Sequence, residues 1–337
     1  MSRPNPQPRT LIVARDPGAA SALSPVARTG PATVIGTGHA RAIFQREHVP
    51  FEETDDAVGA LERRRPAVLL TGTSLRANLD ASWWRAARSL GIPSVGLVDH
   101  WSNLLARFTA SEPFDSHPDV IAVIDMASER ELVDLGCPAP LSVTGQPAFD
   151  AILEAAPDGR AGARARWDVG PERRVLLFAS EPIVSDVGPA ASINELIALR
   201  MVLDAADGWR IVIRPHPREN PDALRELAKD RATVDATASP HDAIAGADAV
   251  VGVSSVFLVE AALAGRPVIS LDPGPASLGL RFPYLIASGR DVEDVRRWLQ
   301  REGGRTIKER ERVERNARSG FARGATGRVW SLLEKLS

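Results

Sequence analysis

"ADAVVGVSSVFLVEAALAGRPVISL", residues 247–271, decides the fold. A valine-rich apolar run meets two serines, then a nearly unbroken apolar stretch, a glycine turn and a second apolar run. Short continuous apolar runs bounded by turn residues read as strands buried on both faces. Strand, helix and strand in such quick succession make a βαβ unit, whose two strands are parallel.

The same alternation runs outward through the chain. Before this segment, strands are expected at "RVLLFAS", "WRIVIRP" and "ATVD", with helices in "INELIALRMVLDA" and "PDALRELAKD". In the first half, strands are expected at "TLIVAR", "ATVIG", "AVLLTG", "PSVGLV", "VIAVID" and "LSVTG". Helices are expected near Gly18, over Arg41–Glu47, and in "ASWWRAARSL" and "ASERELVDL". Between the halves, "PDGRAGARARWDVGPERR" is polar, rich in Gly, Pro and Arg, and without a clean period, as linkers are. The expected division is an N-terminal domain over 1–155, a linker over 156–172, a second domain over 173–320 and a C-terminal helix over 321–337. Both domains read as α/β, doubly wound and Rossmann-like.

Composition bounds the function. The 337 residues are 44% hydrophobic and 25% charged, with a formal charge of −2, which offers nucleic acid no global attraction. No apolar run is long enough for a membrane helix, "MSRPNPQPRT" has no signal core, and Cys137 is the only cysteine. The expected location is therefore the cytoplasm. The scattered histidines lack ligand-like spacing, so no metal and no cofactor is expected.

Within "IVIRPHPREN", residues 211–220, His216 stands between two prolines. Pro215 cannot donate to a sheet ladder and ends the strand, so His216 emerges at the carboxyl edge, where open α/β sheets bind ligands. Pro217 holds His216 in extended backbone. Ser254 and Ser255 stand where the next helix begins, so their hydroxyls and the free N–H groups of the first turn can meet an anion. The competing reading is an ordinary N-cap. Glu260 lies among apolar residues of that helix, where a carboxylate needs a partner; ribose hydroxyls would serve.

Together "RPHP" (214–217), "GVSSVFLVEAALAGRPVIS" (252–270) and "VTGQPAFDAI" (143–152) resemble the GT-B superfamily of glycosyltransferases. Within it, the resemblance is nearest to UDP-N-acetylglucosamine 2-epimerases and to CDP-glycerol or capsule polymer transferases. The resemblance implies two Rossmann-like domains facing a cleft, with the C-terminal helix crossing back to the first. It also implies a nucleotide-sugar donor on the second domain, with Glu260 at the ribose, Ser254 and Ser255 at the diphosphate or ribose, and Arg214 and His216 at the phosphates. Two departures weigh against an epimerase: "SSVFLVEA" has one glutamate where the epimerase-like pattern has a pair, and "RDPGAASAL" replaces a basic or glycine-pair loop.

In the first domain, "LIVARDPGAASAL" places Arg15 and Asp16 at a strand end, with Gly18 permitting close backbone approach. "GLVDHWSNLLARF" ends a strand in Asp99, His100 and Trp101, an acid, a base and a flat aromatic. Either Asp99 or His100 could take the proton of an acceptor hydroxyl near neutral pH. Trp101 is expected to stack on a sugar, and Arg107 to meet a phosphate or an acidic acceptor. Asp16 is a third catalytic candidate, and Gly18 with Trp101 and Arg107 would bind the acceptor. In "LFASEPIVSD", Ser180 and Glu181 are expected at the donor. Thr71–Ser74 reads as ordinary turn chemistry.

The expected function is a metal-independent glycosyltransfer from a nucleotide-diphosphate sugar to a small-molecule, glycan or lipid-linked acceptor. Alternatives are a UDP-N-acetylglucosamine 2-epimerase-like or CDP-glycerol-type enzyme, or a non-catalytic nucleotide-binding scaffold. The basic C-terminal stretch could touch an anionic membrane, although its interleaved glutamates favour a solvated helix.

Overall fold

The computed structural model describes residues 9–74, 80–154, 158–188, 191–237, 239–271, 281–282, 285–303 and 321–337. They fall into two units, one built from the described residues up to Asp150 with Ala322–Ser337, the other from Ala151–Phe321.

Unit 1 contains strands β1 (Thr10–Ala14), β2 (Ala32–Gly36), β3 (Val68–Thr71), β4 (Ser94–Leu97), β5 (Val120–Val123) and β6 (Leu141–Val143). All pair in parallel, in the order β2-β1-β3-β4-β5-β6. Helices α1 (Pro17–Thr29), α2 (Ala40–Arg46), α3 (Ala57–Arg64), α4 (Asp80–Ser89) and α5 (Met126–Asp134) cross between them, and α6 (Asp150–Glu154) starts at the last residue of this segment of unit 1 and continues into unit 2. The interior strands are apolar on both faces because both faces are covered: β1 and β3 are buried along their whole length.

Unit 2 contains β7 (Val175–Ala179), β8 (Arg210–Arg214), β9 (Ala232–Val234), β10 (Ala249–Gly252), β11 (Val268–Leu271) and β12 (Ala287–Gly289). Its parallel sheet has the order β12-β11-β10-β7-β8-β9. Its helices are α7 (Arg160–Arg166), α8 (Ile183–Val187), α9 (Glu195–Ala205), α10 (Asp222–Ala228), α11 (Pro240–Gly246), α12 (Val256–Leu263) and α13 (Val292–Gly303). The strand order reverses between β7 and β10, which opens a crevice at their carboxyl ends. In unit 1 the corresponding reversal lies between β1 and β3. Both units are thus doubly wound and Rossmann-like, the GT-B fold class.

The chain returns to unit 1 through α14 (Ala325–Leu336). Val329 and Leu333 are buried in the same apolar cluster as Leu23 and Val26 of α1. Asp150 fixes the start of α14 by accepting from the N–H groups of Gly324 (2.9 Å), Ala325 (3.0 Å) and Thr326 (2.8 Å). A carboxylate at a helix N-terminus satisfies otherwise orphaned donors and meets the positive end of the dipole. Trp330 Nε1 donates to Val26 O at 3.2 Å, and Arg328 Nε to Thr144 O at 2.8 Å.

Three expectations change. The stretch expected as linker contains α7, which belongs to unit 2: Ala163 and Trp167, one turn apart, are buried, and Arg164 is buried with them. Arg164 was counted as polar, yet its guanidinium pairs with Asp248 at 3.2 Å and its stem packs inside. Strand β12 and helices α3 and α11 were not expected. Residues 304–320, ahead of the expected C-terminal helix over 321–337, lie outside the described residues.

Candidate functional site

Unit 2 concentrates its polar chemistry at the β7–β10 reversal. Pro215 is buried directly after β8, and His216 follows it half-buried, as the proline bracket implies. Arg218 N–H donates to His216 Nδ1 at 3.1 Å, so in the neutral ring the proton sits on Nε2. The guanidinium of Arg214 lies over the Phe257 ring, 4.8 Å from its centroid, which ties the end of β8 to the first turn of α12.

Glu219, which the sequence reading passed over, holds this corner together. Its Oε2 accepts from the backbone N–H of His216 at 2.6 Å, and its Oε1 accepts from Ser180 Oγ at 2.7 Å. Ser180 N–H in turn donates to Arg214 O at 2.9 Å. Burial pushes the Glu219 carboxyl up to about 7; the two hydrogen bonds oppose the rise, while Glu195 and Glu181 nearby add to it.

The start of α12 differs from expectation. Glu181 Oε1 accepts from the N–H groups of Val253 (3.1 Å) and Ser254 (2.7 Å), and Oε2 accepts from Ser254 Oγ (2.7 Å). The chain's own carboxylate therefore occupies the anion cradle that Ser254 was expected to offer a ligand. Burial raises the Glu181 pKa although Ser254, Ser255 and Val253 donate to it. Ser255 acts as the N-cap, its Oγ accepting from Phe257 N–H at 3.3 Å. Glu260 is 9% exposed on α12, where the other residues from Phe257 to Leu263 are apolar and buried.

In unit 1 the strand ends after β1, β3 and β4 carry a buried charge system. Arg107, 6% exposed, donates from Nη1 to Asp99 Oδ1 at 2.6 Å and to Thr73 O at 2.8 Å. Arg107 was expected to meet a phosphate or an acceptor; instead it is an internal cation joining two strand-end loops. Gly18 was expected to admit a ligand, but a Cβ there would stand 2.1 Å from Asp99 Oδ2, so its missing side chain makes room for Asp99.

Trp101 was expected to offer a face to a sugar and does not. It is 1% exposed, donates from Nε1 to Asp125 Oδ2 at 2.7 Å and stacks on Phe149 with centroids 6.1 Å apart. A large aromatic after a strand suits the core as well as a ligand, and here the core holds it. His100 remains half-buried, with Nδ1 receiving Ser102 N–H at 2.9 Å. Asp16 is the half-buried residue preceding α1, and its side chain makes no capping hydrogen bond.

A further acid was not anticipated. Asp80, 3% exposed in the first turn of α4, accepts from Ser74 N–H at 2.6 Å. Burial pushes its carboxyl up to about 7 against the Ser74 hydrogen bonds, and Asp16 and Asp99 add to the rise. Asp16, Asp80 and Asp99 thus form one electrostatic group. Among the described residues, no cluster of three or more His, Cys, Asp or Glu side chains is arranged to hold a metal ion. No helix among them is long and apolar enough to cross a membrane.

No protein-family model matches the chain, and no curated protein sequence matches it. Solved structures match it over nearly its whole length. UDP-GlcNAc 2-epimerase from Neisseria meningitidis, solved with UDP-GlcNAc, is 14% identical over 97% of this chain and 99% of its own, with a TM-score of 0.68. S. aureus MnaA, solved with UDP, is 12% identical over 97% and 96%, with a TM-score of 0.69. Anabaena HepE, solved with UDP and glucose, is 15% identical over 97% and 99%, with a TM-score of 0.65. At such identities the likeness is one of fold, and the fold of this chain is the two-unit GT-B architecture these proteins share.

Proposed function

We propose that the chain acts on a nucleotide-diphosphate sugar held by unit 2 and transfers the sugar to an acceptor hydroxyl without a metal. The observation that carries this reading is the corner at the ends of β7, β8 and β10. His216, fixed through Nδ1 and the Glu219 brace, keeps Nε2–H as a donor two residues along the chain from the Arg214 cation. With Glu181 in the cradle, recognition of the diphosphate rests on Arg214, His216 and Ser255 more than on Ser254. Glu260 supplies the carboxylate for ribose hydroxyls. Stabilising the leaving diphosphate is the chief catalytic task, and a guanidinium and an imidazole N–H suit it.

For the proton of the acceptor, His100 and Asp99 are the two candidate bases, with Asp99 Oδ1 engaged by Arg107 and His100 Nδ1 by Ser102 N–H. A second reading, a sugar-nucleotide 2-epimerase, is favoured by the likeness of fold to solved UDP-GlcNAc 2-epimerases over nearly the whole chain. The solved proteins of like fold include such epimerases and HepE with UDP and glucose, which supports the nucleotide-sugar class and leaves both reactions within it.

Calorimetry with UDP, GDP, CDP and dTDP tests the class. One of them is expected to bind, and Glu260→Ala is expected to weaken it by about 10- to 100-fold, the loss of charge-assisted hydrogen bonds to ribose. Absence of binding by all four would refute the donor site. Incubation with UDP-N-acetylglucosamine and no acceptor, followed by NMR, separates the reactions: a C2 epimer would establish the second reading over the first.

A further inference from the structure

The helix α5 carries a stripe that neither fold nor proposed site uses. Met126, Glu129, Arg130 and Val133 recur at the i, i+3, i+4, i+7 spacing of one helix face. Met126 is 66% exposed and Val133 60%, two of the largest exposures of apolar side chains among the described residues. With Cys137 and Leu141 these four line an open groove of about 440 Å³. Leu135 and Val143 extend the exposed apolar surface, and β6 beside them is the edge strand of its sheet.

The order of the stripe is palindromic in chemistry: apolar, acid, base, apolar. We propose that this face is the interface of a homodimer, with α5 packed antiparallel against α5 of a second copy. A two-fold axis passing between Glu129 and Arg130 sets each Glu129 against the partner's Arg130, and each Met126 against the partner's Val133. One helix face thereby supplies both halves of a charge pair and both halves of an apolar contact, as an isologous interface requires. An unrelated partner would need no such self-complementarity. Neither Glu129 nor Arg130 makes a side-chain hydrogen bond or ion pair among the described residues, so both are available across the axis. The groove has the volume to take a methionine and a valine side chain, and the polar pair at its centre fixes the register.

Sedimentation equilibrium of the full chain tests this. A dimer is expected below about 100 µM, in the range of interfaces of modest area. The Met126→Glu/Val133→Glu double variant should be monomeric. Glu129→Arg sets two arginines against each other across the axis and Arg130→Glu sets two glutamates, so each alone should weaken the dimer at least about tenfold. Carrying both exchanges in one chain restores opposite charges and should return the dimer to near the original strength. All four positions are on the surface, and unchanged far-UV circular dichroism shows that the variants fold. A monomer at every concentration, a dimer indifferent to Met126→Glu/Val133→Glu, or a double exchange no stronger than the single ones would each overturn the proposal. None of these outcomes depends on nucleotide binding, so the two readings stand or fall separately.

Discussion

Replacing Arg107 by alanine is expected to destabilise the protein by about 3–5 kcal/mol, the range for removing one partner of a buried ion pair. The cause is what stays behind. Asp99 would lose its 2.6 Å partner while remaining beside Asp16 and Asp80, and Thr73 O and Oγ1 would lose a donor. Urea denaturation measures it. The combination Asp99→Asn/Arg107→Met should be far less damaging than the sum of the single changes, because it removes the charge as well as its partner. A loss under about 1 kcal/mol for Arg107→Ala would show that the pair does not brace these loops.

Asp80→Asn should act in the opposite direction and only above acid pH. In the folded protein the Asp80 carboxyl has a pKa of about 7, against 3.8 ordinarily. Below about pH 4 both folded and unfolded chains hold the proton, and burial costs nothing extra. As pH rises towards 7 the unfolded chain releases the proton first, so wild-type stability declines across that window. Above pH 7 the accumulated loss is on the order of 4 kcal/mol. Asparagine keeps a carbonyl for Ser74 N–H and carries no charge, so the variant should be markedly more stable than wild type at pH 8 and similar at pH 4. Thermal melts across pH 4–8 decide it, with Glu219 leaving a smaller residual slope in the variant. A wild-type Tm that rises over this window would contradict the assignment.

Much of the fold is legible in the sequence because parallel strands announce themselves as apolar runs. All six strands of unit 1 and five of unit 2 fall within the expected stretches. Strand β12, "ASG", offers no apolar run to read, since it pairs only at the sheet edge through three small residues. Helix α7 was hidden by its arginines; the buried one, Arg164, pairs with Asp248, distant in sequence.

The candidate site was legible in position and less so in role. Asp99, Arg107, Glu181 and Ser254 all occur at strand ends, where ligands bind, but a strand-end polar group can satisfy a neighbouring loop as readily as a ligand. Which it does depends on pairings across 8 residues for Arg107 and 73 for Ser254, which no local pattern encodes. Glu219 stood within the very stretch that drew attention to His216. A carboxylate three residues beyond a proline-bracketed histidine was the available signal, since such a spacing lets it reach back to the histidine N–H.

The clasp of Asp150 on Gly324, Ala325 and Thr326 sets an order on biosynthesis. Unit 1 closes its core with Val329 and Leu333, which leave the ribosome only after every residue of unit 2 has been made. Unit 2, contiguous in sequence, can complete itself first, since domains fold as units during synthesis. The earlier-made segment must therefore wait for the later one. Until α14 arrives, the groove on α1 that receives it is an exposed apolar surface on the nascent chain, and Asp150 is the feature that recognises the helix start when it comes.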